Sequence, residues 1–173
     1  MPPAQQTVKL VKTKEIEQFI PIMRGIDFGD KFLLSMLHWC GIGRRSTPLD
    51  YWQVFLIQAH SEIVGVSGLY RQPETAPAAC WLGWFAIRPK FRRQGFGTAA
   101  IAAVCEFAHH LAYKELWVYT DAADDVAIKF YTSLNFELLG AARDCAPGKT
   151  MADSDIVLRR TLSLSYKVSN DLP

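Results

Sequence analysis

The residue types that can do chemistry converge on one stretch, Phe85-Ala86-Ile87-Arg88-Pro89-Lys90-Phe91-Arg92-Arg93-Gln94-Gly95-Phe96-Gly97-Thr98. A strand ends here, a basic turn follows, and Gly95 and Gly97 open an alanine-rich helix. The start of a helix exposes unpaired backbone N–H groups and the positive end of the helix dipole. Glycines there remove the Cβ atoms that would hold a large anion away, and Arg92 and Arg93 add positive charge. The combination suits a phosphate or pyrophosphate. It is not a P-loop, since no Gly-Lys-Ser/Thr closes it, and it lacks the third glycine of a dinucleotide fingerprint. Taken alone, the same residues also fit a glycine-softened turn with solvated arginines.

Other chemistries lack support in the spacing. Cys40, Cys80, Cys105 and Cys145 are far apart, with no pair at the short gap of a zinc knuckle, and read as reduced, partly buried thiols. His109 and His110 are adjacent on a predicted helix, so they point about 100° apart and cannot chelate one ion together. No metal is expected.

The elements that position the basic turn follow from periodicity. Strands are predicted over 7–11, 52–59, 63–70, 80–87, 116–120, 136–142 and 156–162. Helices are predicted over 13–24, capped by Thr13, and over 31–39, capped by Asp30. Two more are predicted over 97–113 and 124–134. In the longer one, Ile101, Val104, Cys105, Ala108 and Leu111 recur at helical intervals. Three consecutive strands followed by alternating units imply a mixed α/β (α+β) sheet and not a doubly wound one.

The chain resembles the GNAT superfamily of acetyl-CoA-dependent acyltransferases. Arg92-Arg93-Gln94-Gly95-Phe96-Gly97 matches its Arg/Gln-x-x-Gly-x-Gly/Ala signature, with Ile87-x-Pro89 upstream. Asp124-Asp125-Val126-Ala127-Ile128-Lys129-Phe130-Tyr131, followed by Leu134-Asn135-Phe136, resembles the family's Asn-x-x-Ala-x-x-aromatic-Tyr helix, which ends in Gly-Phe. Strand and helix order extends the likeness over about residues 60–160.

The resemblance implies a single-domain, mixed, mostly antiparallel sheet flanked by helices, with a splayed central strand pair. It implies that acetyl-CoA lies against Phe85, Ala86 and Ile87, is wrapped at its pyrophosphate by Arg92, Arg93, Gln94, Gly95, Phe96, Gly97 and Thr98, and meets Asp124. It also implies that the Phe85 N–H polarises the thioester carbonyl and that Tyr131 protonates the departing thiolate as general acid.

Three positions depart from the family pattern. Asp124 stands where Asn is usual; an ionised carboxylate only accepts hydrogen bonds, which fits a helix cap. Asn135 replaces a Gly, a mild change because Asn tolerates the left-handed conformation. Trp81 stands where many members carry a glutamate base, and an indole takes no proton. Glu74, Asp27, Asp30 and His38 are substitutes in principle. Phe28, Phe32, Trp39, Tyr51, Trp52, Trp81 and Trp84 fit either an aromatic acceptor pocket or core packing.

Composition bounds the rest. Half of the 173 residues are apolar and 21% are charged, which excludes intrinsic disorder. A net charge of +2 is too small to argue for a nucleic-acid partner. Residues 1–6 lack the basic and apolar regions of a secretory signal, and the most apolar helical stretch stops at Glu106, short of a membrane span. The expectation is a cytoplasmic protein with one domain over 7–163, a flexible start over 1–6 and a tail over 164–173. The function expected is direct acetyl transfer, in a ternary complex, to a primary amine of a small molecule or amino acid. A protein N-terminal or lysine acetyltransferase and a non-catalytic CoA-binding regulatory module stay open, as does a homodimer.

Overall fold

The computed structural model describes residues 6–26, 29–39, 49–145 and 152–163. The order is β1 (Lys9–Thr13), a 3₁₀ turn (Ile16–Phe19), α1 (Ile20–Met23), α2 (Gly29–Trp39), β2 (Tyr51–Ala59), β3 (Glu62–Arg71) and β4 (Ala79–Ile87). A second 3₁₀ turn (Pro89–Phe91) leads to α3 (Phe96–His110), β5 (Glu115–Asp121), α4 (Asp125–Ser133), β6 (Glu137–Ala141), α5 (Ala142–Cys145) and β7 (Asp155–Thr161). The strands form one seven-stranded sheet in the order β1-β2-β3-β4-β5-β7-β6.

Alternation along the strands builds a core on each face. Val54, Leu56, Val66 and Trp81 point to the side of α1, where they meet Phe19, Ile22 and Met23. Phe55, Leu69, Cys80 and Leu82 point the other way and meet Ile101, Val104 and Ala108 of α3. Ile101, Val104, Cys105 and Ala108 of the spacing read in the sequence are therefore on the face that α3 buries, whereas Leu111 lies past the helix end and is exposed. Cys80 and Cys105 are buried free thiols. Trp81 is buried core: its indole Nε1 donates to Thr75 Oγ1 at 3.0 Å, and its ring meets Trp117 edge-on at 5.3 Å.

Every neighbouring pair is antiparallel except β4–β5, which α3 joins as a parallel crossover. That pair holds for only three steps, Ala79↔Glu115, Cys80↔Leu116 and Trp81↔Trp117. Beyond Trp81 the two strands part. The register between β3 and β4 also shifts here. Gly68 pairs with Gly83 and Val66 with Ala86, so Trp84 and Phe85 together face Ser67 alone. This is a β-bulge, which bends its strand and sharpens its twist. Trp84 takes φ +52° to make it.

Two sequence expectations are corrected near the start. The helix predicted over 13–24 is reduced to a 3₁₀ turn and one α-turn. Thr13 closes β1 in register with Val54, and its Oγ1 accepts the Glu15 N–H at 3.0 Å. The side chain does bond a nearby backbone N–H, as a cap would, but strand pairing holds Thr13 in the sheet. Asp30 lies within the first turn of α2, one residue past its start at Gly29. The tail over 164–173 and most of the 1–6 start lie outside the described residues.

Thr75 Oγ1 serves two buried donors, the Trp81 indole and the Gln72 N–H at 3.2 Å. Thr75→Val keeps the shape and strands both donors, so it lowers the unfolding free energy by about 1–3 kcal/mol. Urea denaturation measures this; an unchanged midpoint would contradict it.

Candidate active site

The wedge between the parted strands is a cavity of about 430 Å³. Its walls are Leu82 to Phe85 of β4, Val118 to Thr120 of β5, Lys31 and Ser35 of α2, Tyr70 of β3, and the α4 end bearing Asp124, Ala127 and Tyr131. Four of the residues singled out from sequence thus share one space: Trp84, Phe85, Asp124 and Tyr131. Ala86 and Ile87 are buried just past it, and residues 92–98 continue from the end of β4 into α3.

The basic turn is held by its own side chains. Arg92 Nε donates to Ile87 O at 2.9 Å, Gln94 Nε2 to Lys90 O at 2.8 Å, and Lys90 pairs with Glu62. Arg93 and Gly95 both take left-handed φ values, +61° and +87°. Gly95 is the N-cap of α3, and no side chain among the described residues caps that end. The first N–H groups of α3 therefore lack a side-chain acceptor, and Arg92, Arg93 and Thr98 are exposed beside them. Phe96 is buried and meets Phe91 edge-on at 5.9 Å. A Cβ on Gly97 would lie 3.2 Å from Phe130. The glycine thus brings α4 against α3, a role the sequence reading did not assign to it.

Phe130 in turn stacks on Phe85, with centroids 6.0 Å apart and planes 7° apart. Helix α4 is fixed at its start by Asp124, whose Oδ1 accepts the Ala127 N–H at 2.9 Å. The cap expected of Asp124 is therefore present. Asn135 adopts φ +63° after the helix, the conformation for which Asn substitutes for Gly. Tyr131 packs between Phe130 and Phe136 at 5.3 and 5.4 Å. Burial, and secondarily the Asp124 carboxylate, push its phenol well above the ordinary tyrosine range. Tyr119 is raised by burial and by Asp155. Both phenols stay protonated at neutral pH.

The base candidates that the structure describes do not line the cavity. Trp81 is core, and Glu74 and Asp30 are exposed without lining the cavity. Asp27 lies outside the described residues, as does the side chain of His38. Of the aromatic set, Trp84 alone among the described side chains lines the cavity. Tyr51 packs against Tyr113 and Trp52 against the α1-side core. Phe28 and the side chains of Phe32 and Trp39 lie outside the described residues. Sequence reasoning missed Tyr70, Tyr119, Lys31 and Ser35. The available signal was Gly68 and Gly83 inside strand patterns, which mark a bulge or close approach. Among the described residues no group of His, Cys, Asp and Glu could hold a metal, and no helix is long and apolar enough to cross a membrane.

The acetyltransferase (GNAT) family model matches residues 16–136. No curated protein matches the sequence. Solved structures share the fold at low identity. A GNAT-family acetyltransferase from Staphylococcus aureus Mu50 is 17% identical with a TM-score of 0.64, over 91% of this chain and 100% of that one. A Bacillus subtilis acetyltransferase, solved in complex with CoA, is 14% identical at 0.63, over 92% and 100%. The ribosomal-protein-S18-alanine N-acetyltransferase of Escherichia coli is 16% identical at 0.63, over 98% and 99%.

Asp124→Ala removes the α4 cap and lowers the unfolding free energy by about 1 kcal/mol, whereas Asp124→Asn retains most of it. Equal loss in both variants, measured by chemical denaturation, would contradict the capping role.

Proposed function

We propose, from the premise that the chain belongs to the GNAT acetyltransferase family, that it moves an acetyl group from acetyl-CoA to the primary amine of a small molecule or amino acid within a ternary complex. The family supplies the acyl donor, acetyl-CoA. The observation that supports transfer at this site is the parting of β4 and β5 over a cavity lined by both Phe85 and Tyr131.

The residues fit that donor at three points. Past Trp81, β4 has no strand partner on the β5 side among the described residues, so its backbone can receive an amide-bearing arm as another strand would lie. The bulge leaves Phe85 without a one-to-one partner on β3. Its N–H is our donor to the thioester oxygen, where a fixed dipole stabilises developing negative charge. The turn from Arg92 to Thr98 offers uncapped helix N–H groups and arginines to a pyrophosphate.

Within this arrangement the amine nitrogen attacks the carbonyl carbon, the carbon–sulfur bond breaks, and Tyr131 hands its proton to the departing sulfur. The phenol carries its proton at neutral pH; burial raises it further and makes it a weaker acid, so the proton crosses only as negative charge develops on the departing sulfur. The amine loses its own proton to water, since the one carboxylate among the described lining residues, Asp124, already caps α4.

The direct test is calorimetric titration with acetyl-CoA followed by a thiol-release assay over a panel of amines. Acetyl-CoA binding with thiol release supports the reading; no binding overturns it. Tyr131→Phe lowers kcat about 100-fold or more while acetyl-CoA affinity stays within about twofold. Unchanged kcat would remove Tyr131 from the acid role. The sign of the pH dependence follows from the raised phenol: the protonated form is active and persists upward, so Tyr131 causes no loss of kcat below about pH 10. An alkaline fall near neutral pH that vanishes in Tyr131→Phe would contradict this.

A further inference from the structure

Two glycines oppose each other across β3 and β4, where Gly68 and Gly83 are register partners. A Cβ on Gly68 would lie 2.4 Å from Cε3 of Trp84, and one on Gly83 would lie 2.9 Å from the Tyr70 ring. The paired gap lets each ring lie over the neighbouring strand, with centroids 5.6 Å apart and planes inclined by 35°. Both rings line the cavity, and Tyr119 joins them from β5.

Trp84 is also held in ways that packing alone does not require. Its φ of +52° is unfavourable for a bulky residue. Its indole Nε1 donates to Ser35 Oγ at 3.2 Å, so α2 fixes the ring from across the cavity. Trp81, on the same strand, serves the core without a left-handed backbone or a cleared glycine partner. A strained backbone, a cleared opposite strand and an anchoring hydrogen bond all converge on one ring at the cavity wall.

We propose that Trp84, with Tyr70 and Tyr119, selects the acceptor: a primary amine joined by a short linker to a flat aryl group. The inference rests on the acetyltransferase reading above. An aryl ring gains offset or edge-on contacts with these rings. An amine with only polar substituents gains none and loses water against an aromatic wall. Ser35 is a positioning residue that acts through the Trp84 ring.

The experiment compares thiol release with 2-phenylethylamine and with ethanolamine, at saturating acetyl-CoA, and titrates 2-phenylethylamine calorimetrically into the CoA-saturated protein. The aryl amine is favoured in kcat/KM by about tenfold or more. Trp84→Asn, a residue that tolerates the same backbone, reduces that ratio about tenfold through KM and weakens the calorimetric binding. Trp84→Phe keeps most of the preference. Gly68→Ala, which displaces the ring from the other strand, reproduces the loss if Trp84→Asn fails to fold. Ser35→Ala raises KM for the aryl amine about threefold with little change in kcat. Equal kcat/KM for the two amines, or a ratio unmoved in Trp84→Asn and Gly68→Ala, overturns this proposal and leaves the acetyltransferase reading standing. Acetyl-CoA binding with no thiol release from any amine overturns both.

Discussion

The parting of β4 from β5 after Trp81↔Trp117 is the constraint on which the rest depends. A parallel pair in mid-sheet would ordinarily run its full length, because each unpaired buried peptide group costs free energy. Here the pairing stops after three steps, and the bulge at Trp84 and Phe85 turns the strand away. What results is a wedge with backbone on both sides and a helix at each end. One break in the ladder therefore supplies room for a ligand and the hydrogen-bonding groups to hold it.

Aromatic packing keeps the wedge from closing. Phe85 stacks on Phe130, and Phe130 sits against the bare face of Gly97. This ties the end of β4 to α4 and to the first turn of α3. Tyr131, next along α4, is thereby placed at the cavity wall with a phenol that burial keeps protonated. The basic turn, the strand edge and the Tyr131 phenol are set relative to one another by a single run of contacts. On the opposite side the Trp84 indole reaches Ser35 and links the bulge to α2.

Much of this was legible in the sequence, for identifiable reasons. The strand-turn-helix at 85–98 and the Asp124–Asn135 helix carry local signals: glycines, a cap, a periodic apolar face and a residue fit for a left-handed helix end. Their neighbours in the chain decide their conformation, so the order of elements and the cap followed directly. The parted strands were implied by the family resemblance, but the bulge that shapes the wedge was not legible. Trp84 in a left-handed conformation runs against its own preference, and only the opposing Gly68 and the α2 hydroxyl make it tolerable. Thr13 shows the same limit, because its pairing with Val54, distant in sequence, outweighs a local capping signal. Gly97 was read as clearance for an anion, whereas the atom nearest its missing side chain belongs to α4.

The account rests on the free edge of β4 and the uncapped start of α3 receiving acetyl-CoA. Residue-resolved amide hydrogen exchange, with and without CoA, tests this most directly. We predict that the amides of Phe85 and of Gly95 to Thr98 exchange readily in the free protein and become protected when CoA binds, while Trp81, paired on both sides, is protected throughout. Protection that does not change at Phe85 and at the start of α3, with CoA bound, would contradict it.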